Sequence, residues 1–373
     1  MSERTKPPFR ADQVGSLIRP DALIRAREAA QKNEIPAAEL RRIREGAIRD
    51  VVRLQEAIGF KAVTDGEFNR GFWQRDFVLK FANVNEMPSK ITVRFHSEAG
   101  VRERTPAAMQ VTGKLSRPQQ IFVEDFRFLK SVAKAMPKVT IPSPSVLHFR
   151  GGRDAIDKNA YPDLAEFYAD LARAYGEEIS DLAKAGCRYL QIDEVNLAYL
   201  CDPALRREVA NIGEDPATLP KTYAKLLNDS IAGRPADMTV CMHLCRGNFA
   251  GAWGAEGGYE PVAELFFNEI NVDGYFLEYD SPRAGGFEPL RFLPKGKIAV
   301  LGLVTTKSPK LESKDELKRR IDEAARFVPL EQLALSPQCG FSSGIGGNAV
   351  TYEDEIKKLR LVVETAREVW GSA

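Results

Sequence analysis

The stretch AAELRRIREGAIRDVVRLQEAIGFKAVTDG (37–66) places a long amphipathic segment directly before a short β-rich run. In the first part, apolar residues recur every three or four positions and the segment ends near Gly59, the pattern of a helix lying on a core. KAVTDG (61–66) then reads as a strand whose end carries a carboxylate. Similar units follow one another along the chain. The other runs read as strands are ADQVG (11–15), KVTIPS (138–143), RYLQID (188–193), MTVCMH (238–243), DGYFLE (273–278), IAVLGL (298–303) and QLALSP (332–337). These eight runs with helical crossovers, PDLAEFYADLARAYGEEISDLAKAG (162–186) among them, predict an α/β fold, a (β/α)8 TIM barrel. An open doubly wound sheet is the competing arrangement. No glycine-rich dinucleotide fingerprint follows the first run, which counts against it.

A chain of 373 residues is long enough for two average domains, yet barrels of this kind reach that size as one. No linker, low-complexity tract or internal repeat divides it, so a single catalytic domain over 1–373 is expected. PSKITVRFHSEAGVRERTPAAMQVTGKLS (88–116) breaks the alternation with two β-like runs around a polar middle. It predicts a β-hairpin inserted after the second strand and leaning over the barrel mouth. A net charge of +1, with acids and bases interspersed, gives no electrostatic case for nucleic acid or an anionic membrane. No apolar run approaches a membrane span, and the polar first residues lack the apolar core of a secretory signal. Five cysteines, an odd number, fit reduced thiols. A cytoplasmic enzyme acting on small molecules is the expectation.

Barrel active sites lie at the C-terminal ends of the strands. Those ends read VGS (14–16), TDGEFNR (64–70), PSPSVLHF (142–149), QIDEVN (191–196), MHLCRGN (242–248), LEYDSPR (277–283), GLVTTKSP (302–309) and SPQCGFSSG (336–344). Carboxylates and cysteines gather there. Residues two apart on a strand share a side at about 6.5 Å, so His243 and Cys245 can reach one ion. Cys241 lies about 13 Å from Cys245 on the same geometry and is expected deeper in the barrel. Glu278 closes its strand and Cys339 sits just beyond the last one. Three neighbouring strand ends would thus supply two thiolates, an imidazole and a carboxylate, a tetrahedral zinc set. Paired Cys-x-x-Cys knuckles of a structural site are missing, and a carboxylate beside two thiolates can give way to substrate. Zinc held largely by sulfur binds an incoming thiol as thiolate, which points to alkyl transfer to sulfur.

At these residues the chain resembles the catalytic C-terminal half of cobalamin-independent methionine synthase. VGSLIRP, DGEFNR, LQIDE, MHLC, FLEYDSPR, VLGLVTTKSP and SPQCGF occur in the family's order over nearly the whole length. The resemblance implies a Zn2+ held by His243, Cys245, Glu278 and Cys339. It also implies homocysteine bound by Val14, Gly15 and Ser16 and by the carboxylates Glu67 and Asp193, which would grip its amino group. Two positions depart from the family on the methyl-donor side. An acidic residue that contacts the pterin is replaced by Tyr199, and a stacking tryptophan by Phe149. The family's N-terminal barrel, which helps clamp the folate tail, has no counterpart here. The implied donor is a methylated tetrahydrofolate or a methylated corrinoid, the latter brought by a corrinoid protein. Two other readings remain: a thiol alkyltransferase acting on an epoxide and coenzyme M, and a non-enzymatic zinc-binding barrel.

Several neighbours admit two roles each. Asp65 and Glu194 either cap helices or belong to the site; Arg70 either orients Glu67 or binds a substrate carboxylate. Phe72 and Trp73 either roof the donor pocket or pack the second loop. His148 is expected to be structural, and His96, which has no partner motif in the sequence, to lie on the surface. The glycine cluster GFSSGIGGN (340–348) is expected to form a flexible lid.

Overall fold

The computed structural model describes residues 3–97 and 100–373. The amphipathic stretch forms the helix Ala37–Ile58, burying Ile48, Val51, Val52, Gln55 and Ile58, and Gly59 ends it in the left-handed region with φ 110°. The strands, in chain order, are β1 (Ala62–Val63), β2 (Ala82–Met87), β3 (Val93–Ser97), β4 (Gly100–Arg104), β5 (Ala108–Ser116), β6 (Met136–Pro137), β7 (Val139–Pro142), β8 (Tyr189–Glu194), β9 (Thr239–Leu244), β10 (Gly274–Glu278), β11 (Ile298–Val304) and β12 (Leu333–Pro337). Strands β7 to β12 form one parallel sheet in sequential order, and β1 pairs in parallel with β6. The gap between β12 and β1 is closed by the N-terminal segment. Ala11 bridges Leu335, Asp12 N donates to Leu335 O at 3.0 Å, and Leu17 N donates to Gly66 O at 3.1 Å. The result is a (β/α)8 barrel. No helix among the described residues is long and apolar enough to cross a membrane.

Two expected strands are reduced. The run 11–15 makes a bridge rather than a ladder, and 61–66 keeps only two ladder residues. Side chains take over the missing backbone pairing. Gln55 Oε1 accepts from Thr64 N, Gln55 Nε2 donates to Thr64 O, and Thr64 Oγ1 donates to Gly15 O. This satisfies buried backbone groups without a sheet and leaves residues 14–16 free to turn into the barrel mouth. A second correction concerns the strand ends. Those of β9, β10 and β12 are not all neighbours, because β11 lies between β10 and β12.

The insertion is larger than a single hairpin over 88–116. β2 pairs with β5 in an outer antiparallel layer, and β3 pairs with β4 inside it. Residues 98 and 99, between β3 and β4, lie outside the described residues. Beneath the mouth the barrel is filled by Val14, Tyr189, Cys241, Phe276, Val300 and Ala334. Lower still, Lys138 Nζ meets Asp12 Oδ1 at 3.0 Å and donates to Gln13 O at 2.6 Å, while Tyr189 hydroxyl donates to Asp12 Oδ2. That buried pair is acceptable because each charge is hydrogen-bonded.

Candidate metal centre and substrate cavity

Register determines what faces the mouth. Asp193 on β8 stands opposite His243 on β9, so their side chains share the inner face. Cys245 follows two residues beyond His243 and stays on that side. Cys241 lies one layer lower, opposite Gly274, among the barrel filling. Glu278 ends β10. Cys339 reaches the group from beyond β12 by crossing the end of β11. That crossing depends on Gly302, where a Cβ would lie 2.7 Å from Gln338 Cα and 2.8 Å from Leu277 O. Gln338 N donates to Val304 O, and the β11–β12 register shifts between Gly302 and Val304.

His243, Cys245, Glu278 and Cys339 are thereby brought together, each offering a ligand atom within 4.8 Å of the others, and all four are buried. The Cys245 and Cys339 sulfurs are 3.6 Å apart, and His243 Nε2 is 4.0 Å from Glu278 Oε1. Both ring nitrogens of His243 lack a hydrogen-bond partner. A buried imidazole with two orphaned nitrogens is costly by itself; a cation among these donors would take up one of them. These four residues could hold a metal ion. Supporting bonds fix the ligands: Arg246 N donates to Glu278 Oε1 at 3.0 Å, and Arg283 Nη2 approaches Oε2 at 3.5 Å. Asn248 Nδ2 lies 3.8 Å from the Cys339 sulfur. The Cys339 sulfur is drawn down toward thiolate by its hydrogen bond with Cys245, with His243 adding to the effect.

His243, Cys245 and Cys339 line a cavity of about 870 Å3 that also includes Val14, Ser16, Glu67 and Asp193. Glu67 sits at φ 60°, an uncommon value for a non-glycine residue. Its Oε1 accepts from Thr140 Oγ1 at 2.8 Å and lies 3.5 Å from Arg70 Nη1, while its Oε2 is buried without a partner. Arg70 also donates to Thr140 O and Oγ1. Of its two expected roles, the geometry assigns it to orienting Glu67. Asp193 Oδ1 accepts from Gln191 Nε2, which also donates to Val14 O. Burial, and then the neighbouring Glu67 charge, pushes the Asp193 carboxyl up to about 7. Gly15 backs this group: a Cβ there would lie 2.7 Å from Thr140 Cγ2 and 3.2 Å from Glu67 Oε1.

The donor-side residues divide. Tyr199 lines the cavity, as do Phe72 and Trp73. Phe149 does not line it; it is buried behind Tyr199, with ring centroids 6.1 Å apart. Glu194 accepts from Asn196 N, Leu197 N and Ser145 Oγ, a capping role, and Asp65 accepts from Glu67 N and Asn69. His148 lies behind the cavity, 3.0 Å from the Tyr223 hydroxyl and 3.4 Å from Glu214. His96 is half-buried rather than on the surface, stacked on Trp253. The glycine cluster is a pinned wall rather than a free flap. Arg19 donates to Ser342 O, Ser343 Oγ to Asn248 O and Asn348 Nδ2 to Thr306 O. Sequence reasoning missed Thr140 and Gln191, although each stands on the inner face next to a carboxylate it holds. It also missed Gly302 and the insertion residues Phe95, Arg102 and Arg104 that line the cavity.

A barrel in which four buried donors, two of them thiols, could hold a metal at the edge of a large cavity points to the class of protein. Residues 9–368 match the family model for the catalytic domain of cobalamin-independent synthase, and the chain belongs to that family. It is 44% identical over 371 residues to the uncharacterized protein YxjH of Bacillus subtilis, covering 99% of this chain and 96% of that one. Methionine synthase of Pyrococcus abyssi is 24% identical over 362 residues, covering 95% and 92%. Among solved structures, a candidate vitamin-B12-independent methionine synthase from Listeria monocytogenes superimposes with TM-score 0.78 at 37% identity, over 99% of this chain and all of that one. A B12-independent methionine synthase from Shewanella, solved with selenomethionine, gives TM-score 0.71 at 19% identity, over 96% and 97%.

Proposed function

We propose that the chain is a zinc-dependent methyltransferase that converts homocysteine to methionine. The observation that carries this reading is a four-donor cluster opening into the same cavity as two buried carboxylates, one with an unpartnered oxygen. The donor set fits zinc: bonds of about 2.0–2.3 Å place tetrahedral ligands about 3.3–3.8 Å apart, close to the 3.6 Å between the two sulfurs. His243, Cys245, Glu278 and Cys339 would hold the ion. Bound there, it would lower the pKa of an incoming thiol and keep it as thiolate. Glu67 Oε2 and Asp193 accept hydrogen bonds from the substrate ammonium, and Arg70 and Thr140 keep Glu67 aimed at it. Ser16 and the adjoining backbone receive the substrate carboxylate. Held in this way, the sulfur meets the methyl carbon in line. The sulfur–methyl bond forms as the donor's bond to methyl breaks, and that electron pair stays on the donor.

Asp193→Asn tests the acceptor side. Hydrogen bonds to charged groups contribute about 1.5–3 kcal/mol, so homocysteine affinity measured by calorimetry should fall about tenfold or more while metal content stays unchanged. Unaltered affinity would move the amino-group site elsewhere and favour an acceptor without an amino group, such as coenzyme M.

The methyl donor in this proposal is a methylated tetrahydrofolate or a methylated corrinoid, free or carried by a protein. Tyr199 offers one hydroxyl where a carboxylate would accept twice from a pterin, and Phe149 does not reach the cavity. We expect slow turnover with methyl-folate, little affected by tail length, and a higher kcat/KM with methylcobalamin. The comparison uses methylcobalamin, monoglutamate and triglutamate methyl-folate under the same conditions. A strong preference for the triglutamate would restore the folate assignment.

A further inference from the structure

We propose that the roof of the cavity is an oxyanion site, in which Arg102, Arg104 and Arg150 receive a carboxylate or phosphate at the outer end of the second substrate. The site rests on the insertion's register; only the identity of the molecule bringing the anion rests on the methyl-transfer reading. In the inner hairpin Arg102 stands opposite Phe95 and Arg104 opposite Val93. Opposed residues of an antiparallel pair share a face, and Phe95 and Val93 are buried. Both arginines therefore share a face with those two buried residues, and both line the cavity at its exposed mouth. Arg94 and Glu103, opposed one residue along, form an ion pair with each other at 2.9 Å.

Exposed β4 presents these two cations at the cavity mouth, and the acids that line the cavity beside them, Glu86 and Glu103, are already engaged. Glu103 is taken by Arg94, and Glu86 by Arg75 at 2.5 Å. Among the described residues, Arg102, Arg104 and Arg150 form no ion pair. The Arg104 guanidinium lies 4.1 Å over the Phe249 ring. Stacking uses its flat face and leaves the in-plane N–H groups free to grip an oxyanion. Arg150 enters from the barrel side and donates to Ala107 O at 3.3 Å, which brings it to the segment just beyond Arg104. Glu67, Asp193, His243, Cys245 and Cys339 line the floor of the cavity, and Arg102, Arg104 and Arg150 line its roof beside the engaged Glu86 and Glu103. A ligand spanning the two presents its reacting group below and an anion above. Guanidinium forks suit carboxylate and phosphate equally, so the roof selects for the charge class rather than for one donor.

The test is calorimetric titration of tripolyphosphate, at low ionic strength, into wild type and the double variant Arg102→Ala, Arg104→Ala. Both residues are exposed and outside the barrel core, so the variant should fold. Wild type should bind, and the variant should bind at least about tenfold more weakly, as expected from the loss of charged hydrogen bonds. Homocysteine affinity should be the same in both. Two further arms identify the source of the anion. One compares methylcobalamin with methylcobinamide, which lacks the nucleotide phosphate; the other compares methyl-folate with a methylated pterin lacking the glutamate. The pair whose affinity difference vanishes in the variant names the ligand. Equal tripolyphosphate binding in wild type and variant, or none in wild type, overturns the proposal. Loss of tripolyphosphate binding in the variant, with neither donor bound by wild type, leaves the oxyanion site standing and removes the methyl-donor reading instead.

Discussion

Cys245→Ser and Cys339→Ser should each leave the purified protein nearly free of zinc, while Cys241→Ser should keep about one zinc per chain. Both sulfurs lie in the buried four-donor group, and serine offers a hydroxyl that stays protonated where a thiolate is needed. Loss of residues that merely support ligands typically costs 10–100-fold in affinity, so removal of a ligand should cost more than about 100-fold. Cys241 is the internal control. It is equally buried and equally sulfur-bearing, but it sits a layer below, where burial pushes its thiol well up, away from the thiolate form. Metal analysis by mass spectrometry, with competition by a chromogenic chelator, measures the effect. Wild-type zinc content in either Cys245 or Cys339 variant would refute the assignment, whereas equal loss in all three would point to misfolding. Circular dichroism on the same samples separates those outcomes.

Gly302→Val should detach Cys339 from the cluster although it touches no ligand directly. Any side chain at 302 meets backbone on two sides, Gln338 Cα at 2.7 Å and Leu277 O at 2.8 Å, and neither is a flexible tip that can swing aside. The segment 337–340 must then lift off the end of β11. Overpacking of this kind typically costs about 1–3 kcal/mol, which a barrel can survive. The ligand geometry cannot survive it, because the Cys339 sulfur would move away from the other three donors. The expected result is a lowered denaturation midpoint with retained secondary structure, together with zinc loss comparable to that of Cys339→Ser. Full zinc occupancy in Gly302→Val would show that Cys339 reaches the cluster by a path that does not depend on this crossing.

What was legible in the sequence follows from local rules. The helix Ala37–Ile58 and strands β8 to β12 announce themselves by periodicity, because a buried face must repeat every 3.6 or every two residues. The inner position of His243 and Cys245 and the deeper place of Cys241 follow from the same two-residue repeat. The strand ends added Glu278 and Cys339, and the motif order named the same four residues. The tertiary structure decided the rest. Residues 11–15 and 61–66 look like strands, yet Gln55 and Thr64 side chains satisfy their backbone groups, and no local pattern encodes a partner nine residues away on a helix. Cys339 was expected from a neighbouring strand end, but it crosses β11 through space that an absent side chain at Gly302 leaves open. The separation of Phe149 from the cavity depends on which ring packs against which, a property of the assembled core. Arg102 and Arg104 lie in a stretch whose sequence marks only β-like runs and a polar middle, and it is the pairing of β3 with β4 that sets them opposite Phe95 and Val93 at the cavity mouth. Alternation identifies which residues share a face; only the docked sheet determines whether that face meets water or a substrate cavity.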